Sequence, residues 1–472
     1  MKTTFRISPW LLVLLFLPLL GILGFQMQNT IPNTQSALVG DGEADDTAAL
    51  QSLIDSAEGA IELPRGIYRI TKPLLIDLDQ IGVTSLSGGG VATLKMDGPG
   101  PAIRLRGTHF KSAAPRTFEE RVWQRQRMPL IDGLAIIGDH PEADGIEAAG
   151  TMQLTMTRLH IKGVRHGIHL IENNRNIIIS DCHLYENQGC GLLLDDVNLH
   201  QINVNGCHIS YNAGGGIVSR KGNVRNLHIT GCDLESNMSD ATEPTANVLI
   251  DCRESEHGTG EVAITGCTIQ HNSTSPDSAN IRIMGQTQLA KTQAFQQEGN
   301  VTITGNVFSD VRVNVHLDNC RGVTLTGNTF WMGYEHDLLI ENSSNIVIGP
   351  NNLDRNPRYN YGTTQDANNG VLIQHCEDCT IQGLHITRVW RKEAALILRN
   401  CRRMHLANCT LLDNDNCGVL LEGVTQSRIE GLFIRDDRPE TTSVPFKMID
   451  SQRNKIERAL EERIDRLEVK SD

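Results

Sequence analysis

Two groups of residues in this 472-residue chain mix acids, bases and histidine densely enough for proton chemistry. The first is Asp195, Asp196, Arg220, Lys221, Asp251 and Arg253, with His169 a little earlier in the chain. The second is Asp318, Glu341, His336 and Arg358. Around the second lie Trp331, Tyr334, Tyr359, Tyr361 and Trp390, with Arg355 and Arg391 between them. Two carboxylates at the right separation can serve as acid and base, or as acid and nucleophile. Arginine, lysine or histidine can instead take a proton, and an arginine fork grips a carboxylate or sulfate while an aromatic face stacks on a sugar ring. The same residues would also suit a solvated ladder of ion pairs and an insertion packed down by its aromatics.

Which of these can meet depends on the elements that carry them. Residues 229–237 read ITGCDLESN, 204–212 VNGCHISYN and 264–272 ITGCTIQHN. The shared pattern places one residue at a fixed point: Leu134, Leu159, Cys182, Cys207, Cys232, Cys267, Asn306, Asn328, Asn351, Leu384, Cys409 and Leu432. Most steps are 22–25 residues, and the longer ones carry insertions. A fixed period of this size means a stacked repeat. Within it, apolar residues alternate with period two and the glycine marks a bend, so each repeat is a set of short strands. This predicts an all-β parallel β-helix of about 12 or more coils over residues 38–436. Equivalent residues then lie about 4.8 Å apart along the rod. Stacked cysteines are slightly too far apart for disulfides and read as small core residues. The asparagines of the same column must hydrogen-bond to one another or to the bend backbone. A zinc site at Cys376, Cys379, Cys401 and Cys409 is the competing reading, and the repeat already explains Cys379 and Cys409.

A second strand in each repeat predicts an outward column: Ile171, Asp195, Arg220, Asp251, Met284, Asp318, Glu341, Gln374, Arg399 and Glu422. On it Asp195 and Asp251 would be about 9–10 Å apart, near the upper limit for an inverting acid pair, and Asp318 and Glu341 about 5 Å apart, a retaining-type distance. The alternative chemistry is elimination, with Arg220, Lys221, His336 or Arg358 as base and Ca²⁺ held by aspartates in the first group. No other cofactor is expected.

Net charge is −13 and aromatics are 4% of residues, which disfavours general nucleic-acid binding and requires an aliphatic core. Lys2 and Arg6 precede an apolar run over residues 10–25, read as a signal peptide or membrane anchor within 1–30. Either puts the chain in a secreted, periplasmic or cell-surface location. Residues 46–57 (DTAALQSLIDSA) predict a capping helix with Asp46 at its N-cap and Leu50, Leu53, Ile54 and Ala57 on one face. Residues 437–472 read as a C-terminal extension with an amphipathic helix over 456–467.

The stretch GDGEADDTAALQSLIDSA, followed by IELPRGIYRI, resembles the opening of the pectate-lyase-like right-handed β-helix superfamily. With the repeats, the resemblance runs from residue 40 to about 436. It implies the fold, with Asp41, Asp45 and Asp46 in turn and cap roles, and a polysaccharide lying along the outward strand face. The superfamily includes lyases, hydrolases, epimerases and inert scaffolds. Asp195-Asp196 is similar to the paired aspartates of polygalacturonase-like hydrolases, but the Gly-His-Gly and Arg-Ile-Lys motifs of those enzymes do not follow. The expectation is therefore a carbohydrate-active protein for an acidic or sulfated polysaccharide, with a non-catalytic glycan-binding or structural rod as the alternative.

Overall fold

The computed structural model describes residues 38–111, 115–241 and 243–457. They wind into a right-handed parallel β-helix. Each strand pairs in parallel with its counterpart one coil on. Ile202 and Val204 lie opposite Leu227 and Ile229, which face Val262 and Ile264, then Val301 and Ile303, then Val323 and Leu325. These alternate residues point inward and make one continuous aliphatic core. The hairpin of Gln286–Gln288 and Phe295–Gln297 is antiparallel and stands off the rod within an insertion.

The cysteines fill the core as their spacing predicts. All twelve are free and buried. Sγ of Cys182 donates to the carbonyl of Ser180 at 3.2 Å, and that of Cys207 to Asn205 at 3.3 Å. Cys376, Cys379, Cys401 and Cys409 are likewise buried, each with Sγ on a carbonyl two residues earlier. Where the column changes to asparagine, amides replace thiols. Nδ2 of Asn306 donates to Oδ1 of Asn328 at 3.1 Å, and Nδ2 of Asn328 to Oδ1 of Asn351 at 2.9 Å. Oδ1 of Asn328 also accepts from the backbone N–H of Asn306. Asn328→Ala would leave that buried N–H without an acceptor and would leave the Asn306 amide with only the Ile264 carbonyl. A loss on the order of 2–4 kcal/mol is expected by denaturant titration, against under about 1 kcal/mol for an exposed control such as Asn352→Ala.

A second, longer ladder runs through the core elsewhere. Side-chain amides hand hydrogen bonds from Asn187 to Asn212, Asn237, Asn247, Asn280 and Asn314, each at 2.7–2.8 Å. The last amide donates to Oδ1 of Asp337 at 2.7 Å. Asp337 is fully buried, its Oδ2 has no partner, and burial pushes its carboxyl up to about 7.

The N-terminal lid is the helix Thr47–Asp55, with Leu50 and Ile54 buried and Leu53 and Ala57 packed on the core. Asp46 does not cap it through its side chain. Its carboxylate accepts instead from the N–H groups of Val39 and Gly40 at 2.8 and 3.0 Å, tying the incoming chain to the lid. Asp45 accepts from the Thr47 N–H at 3.0 Å, and Asp41 holds the turn through Glu43 and Ala44. At the other end the rod continues past the expected boundary at 436. Val444–Ile449 pairs with Cys417–Glu422, and Lys455–Ile456 pairs with Arg428–Glu430. Ile456 is thus in a strand and Glu457 follows it without helix; residues 458–467 of the expected C-terminal helix and the N-terminal targeting segment lie outside the described residues.

Candidate active site

The outward column has the register its spacing predicts. Ile171 pairs with Asp195, then Arg220, Asp251, Met284, Asp318, Glu341, Gln374, Arg399 and Glu422 in turn. Asp195, Arg220 and Asp251 of the first group therefore share one continuous face with Asp318 and Glu341 of the second. Long insertions border it: 236–245, 271–278 and 355–369 lead into its strands, and 252–257 and the 286–297 hairpin leave them.

Two residues earlier on the same strands runs a parallel outward column: His169, Leu193, Val218, Leu249, Arg282, His316, Leu339, Leu372, Ile397 and Leu420. After His169 it is apolar except at Arg282 and His316. Nε of Arg282 donates to Nδ1 of His316 at 3.2 Å, which places the ring proton on Nε2, 3.0 Å from Oε2 of Glu341. Nε2 of Gln374 donates to the other Glu341 oxygen at 2.5 Å. Arg282 is anchored behind by Asp277, at 3.0 Å, and is 7% exposed. The His316 hydrogen bond is the largest influence holding Glu341 below its ordinary carboxylate range. Neither Arg282 nor His316 was singled out from the sequence. Both stand at the alternate, outward positions of NIRIM and NVHLD, where a polar residue on a mostly apolar column is the signal.

His336 lies on the strand Thr329–Glu341, five residues before Glu341 and opposite Gly370. Burial, then the charge of Lys392, lowers it to about 4, and its Nδ1 is buried without a partner. A Cβ on the neighbouring Gly370 would lie 3.1 Å from Cγ of Lys392 and 3.4 Å from Nδ1 of His336, so glycine keeps a gap there with Lys392 lying across it. Burial also lowers the Lys392 ammonium. Asp318, one coil from Glu341, accepts from the amides of Asn319 and Asn342 at 3.0 and 2.8 Å. Asp251 is taken by both arms of Arg253. In the earlier coils Arg220 donates to Asp195 at 3.1 Å, and His169 lies 3.8 Å from the same carboxylate. Lys221 reaches Glu254 at 3.2 Å. Asp196 follows Asp195 with a positive φ at the corner, exposed.

The structure thus brings Asp318, Glu341 and His336 together and leaves Arg358 apart. Arg358 is exposed on the short 3₁₀ turn Pro357–Tyr359. The aromatic wall is also not where sequence proximity puts it. Trp331 pairs with Ser309, which continues the column Glu235 and Gln270 on a different face. Met332, at φ 59°, turns the corner between that face and the strand to Glu341. The 355–369 insertion leaves one face and returns to the other, so it stands as a ridge between them. Its fastenings use up several expected ligand groups. The Arg355 guanidinium lies 3.7 Å over the Trp390 ring and donates to the carbonyls of Arg388, Thr364 and Ala367. Tyr334 bonds Thr363 at 3.0 Å, and Arg391 pairs with Asp366 at 3.3 Å. These four residues hold the insertion to the rod. Tyr361 is 62% exposed, and Tyr359 tilts against Trp331 with ring centroids 4.4 Å apart.

This architecture defines a right-handed parallel β-helix protein with a walled, charged strand face. Residues 123–269 match the family described as right handed beta helix region, and residues 236–435 match the family described as periplasmic copper-binding protein (NosD). Among solved structures, the A-module of the Azotobacter vinelandii mannuronan C-5 epimerase AlgE6 is similar, with a TM-score of 0.56 at 15% identity over 85% of this chain and 98% of that one. A tailspike protein of an E. coli bacteriophage in complex with a pentasaccharide gives 0.47 at 13% identity, over 82% and 76%. PfbA, a surface adhesin of Streptococcus pneumoniae, gives 0.46 at 12% identity, over 88% and 90%. No curated protein matches the chain in sequence.

Proposed function

We propose that the chain is an extracytoplasmic, carbohydrate-active β-helix that binds an acidic polysaccharide along the Glu341 face and cleaves it by β-elimination. The match to a family described as periplasmic supports the location. The observation that carries the chemistry is His336: an imidazole kept neutral by burial, with an unpartnered Nδ1, beside the Lys392 ammonium and the Glu341 row. In this reading the substrate carboxylate draws the Lys392 ammonium to itself and uncovers Nδ1. His336 takes the proton α to that carboxylate, a C=C bond forms, and the glycosidic oxygen leaves with the electron pair. Glu341 and Gln374 hold sugar hydroxyls. Hydrolysis by Asp318 and Glu341 is disfavoured, because a general acid must hold a proton near neutral pH and Glu341 is pushed the other way.

No step of this scheme is routed through Ca²⁺: Asp251 is engaged by Arg253, and Asp318 accepts from two side-chain amides. The counter-charge comes from Lys392. A non-catalytic glycan-binding rod is the second reading, favoured by the pairing of Arg220, Arg253 and Arg399 with acids of the same face. The test is incubation with a panel of polyuronates and sulfated glycans, with and without Ca²⁺, following unsaturated-uronate absorbance and reducing ends. Both should rise together. Reducing ends without absorbance would mean hydrolysis, and binding without either would mean the rod.

A further inference from the structure

We propose that the face carrying Trp331 is a second saccharide site, separate from the Glu341 groove and independent of its chemistry, for a neutral sugar chain lying along the rod. Its platform is the half-buried Trp331 with Tyr359 tilted against it. Rings of this kind stack on the apolar face of a pyranose. Below Trp331 the strand column runs Ser309, Gln270 and Glu235, and Asp310 and His271 follow Ser309 and Gln270 at the adjoining corner one and two coils down. His271 stands between the two carboxylates, with Nε2 3.7 Å from Glu235 and Nδ1 3.9 Å from Asp310. Tyr211 donates to the same Glu235 oxygen at 3.1 Å and is itself 52% exposed. His271 and Asp310 both have positive φ, which puts them at the corner beside the strand column.

The chemistry of this row selects the ligand. Two carboxylates and one imidazole carry no net positive charge, so this row does not attract a uronate or sulfate. Carboxylates and imidazole instead accept from and donate to sugar hydroxyls, and they are spaced one per coil. The coil rise of about 4.8 Å is close to the length of one sugar unit. Aromatic stacking at the Trp331 end and hydroxyl contacts at Asp310, His271 and Glu235 would therefore span three or four units.

The test is calorimetric titration of the full chain with cellohexaose, laminarihexaose, maltohexaose and mannohexaose. At least one should bind with a Kd in the micromolar to low millimolar range. Trp331→Ala and Glu235→Gln should each weaken that binding tenfold or more, while the circular dichroism and the affinity for the acidic polysaccharide of the Glu341 face stay as in the parent. If no hexaose binds, or if binding survives both substitutions, the proposal is wrong. Loss of acidic-glycan binding alone bears on the other face and leaves this site standing on its hexaose result.

Discussion

Asp337→Asn is expected to stabilise the protein at pH 8 by several kcal/mol and to change little at pH 4.5. Each amide of the long ladder accepts at Oδ1 and donates from Nδ2 to the next. Asp337 receives the last bond and, when ionised, has nothing to pass on. Asn369 lies beside it, its N–H on the carbonyl of Gly333 at 2.8 Å, and both atoms of its buried side-chain amide lack partners. A protonated Asp337, or an asparagine, would continue the ladder in the same sense. The folded pKa, pushed up by burial to about 7, lies above the ordinary 3.8. Between those values the folded state keeps a proton that the unfolded state releases. Stability from this group is therefore full below about pH 4, falls as pH rises towards 7, and is level above that. The slope is on the order of 1.4 kcal/mol per pH unit in the window. Every other titrating group is common to both proteins, so the difference in denaturation midpoint between parent and Asp337→Asn, plotted against pH, isolates this one. A difference that does not grow between pH 4 and 7 would mean that Asp337 has a partner the ladder does not reveal.

His336→Ala is expected to lower kcat on the cleaved polyuronate by 10²–10⁴-fold with little change in KM, the usual size for loss of a positioned base. Lys392→Met should act differently, raising KM because the substrate carboxylate loses its counter-charge. The pH profile separates His336 from an ordinary histidine. Its acid limb should fall near pH 4, since burial holds the imidazole there, and kcat/KM should be flat from about pH 5 to 8. An acid limb near pH 6.5 would point to another base.

Much of this was legible in the residue spacing, for a physical reason. In a parallel β-helix the coil length sets which side chains stack, so a column counted along the sequence becomes a column in space. The outward series from Ile171 to Glu422 and the inward series of cysteines and asparagines both hold rung for rung. Insertions do not disturb them, because the chain leaves and rejoins the strands at the corners. The same corners explain what was not legible. Trp331 and Glu341 are ten residues apart within the single strand Thr329–Glu341, yet Met332 turns that strand between two faces. Closeness in sequence therefore placed the aromatics over the wrong acids. Arg355 and Trp390 read as ligand groups because nothing in a sequence tells an arginine facing solvent from one bonded to loop carbonyls. The second ladder escaped because its rungs at Asn237 and Asn247 are ten residues apart and those at Asn247 and Asn280 thirty-three, so insertions hide its period.

The claim on which the rest turns is that an acidic glycan lies lengthwise on the Glu341 face with a carboxylate beside Lys392 and His336. A crystal structure of the His336→Ala protein soaked with the oligouronate it fails to cleave tests this most directly. Expected are a chain parallel to the rod axis, a uronate carboxylate within about 3 Å of the Lys392 ammonium, and hydroxyls on Glu341 and Gln374. A chain bound across the coils, or one whose carboxylates face solvent while Lys392 still covers Gly370, would contradict it.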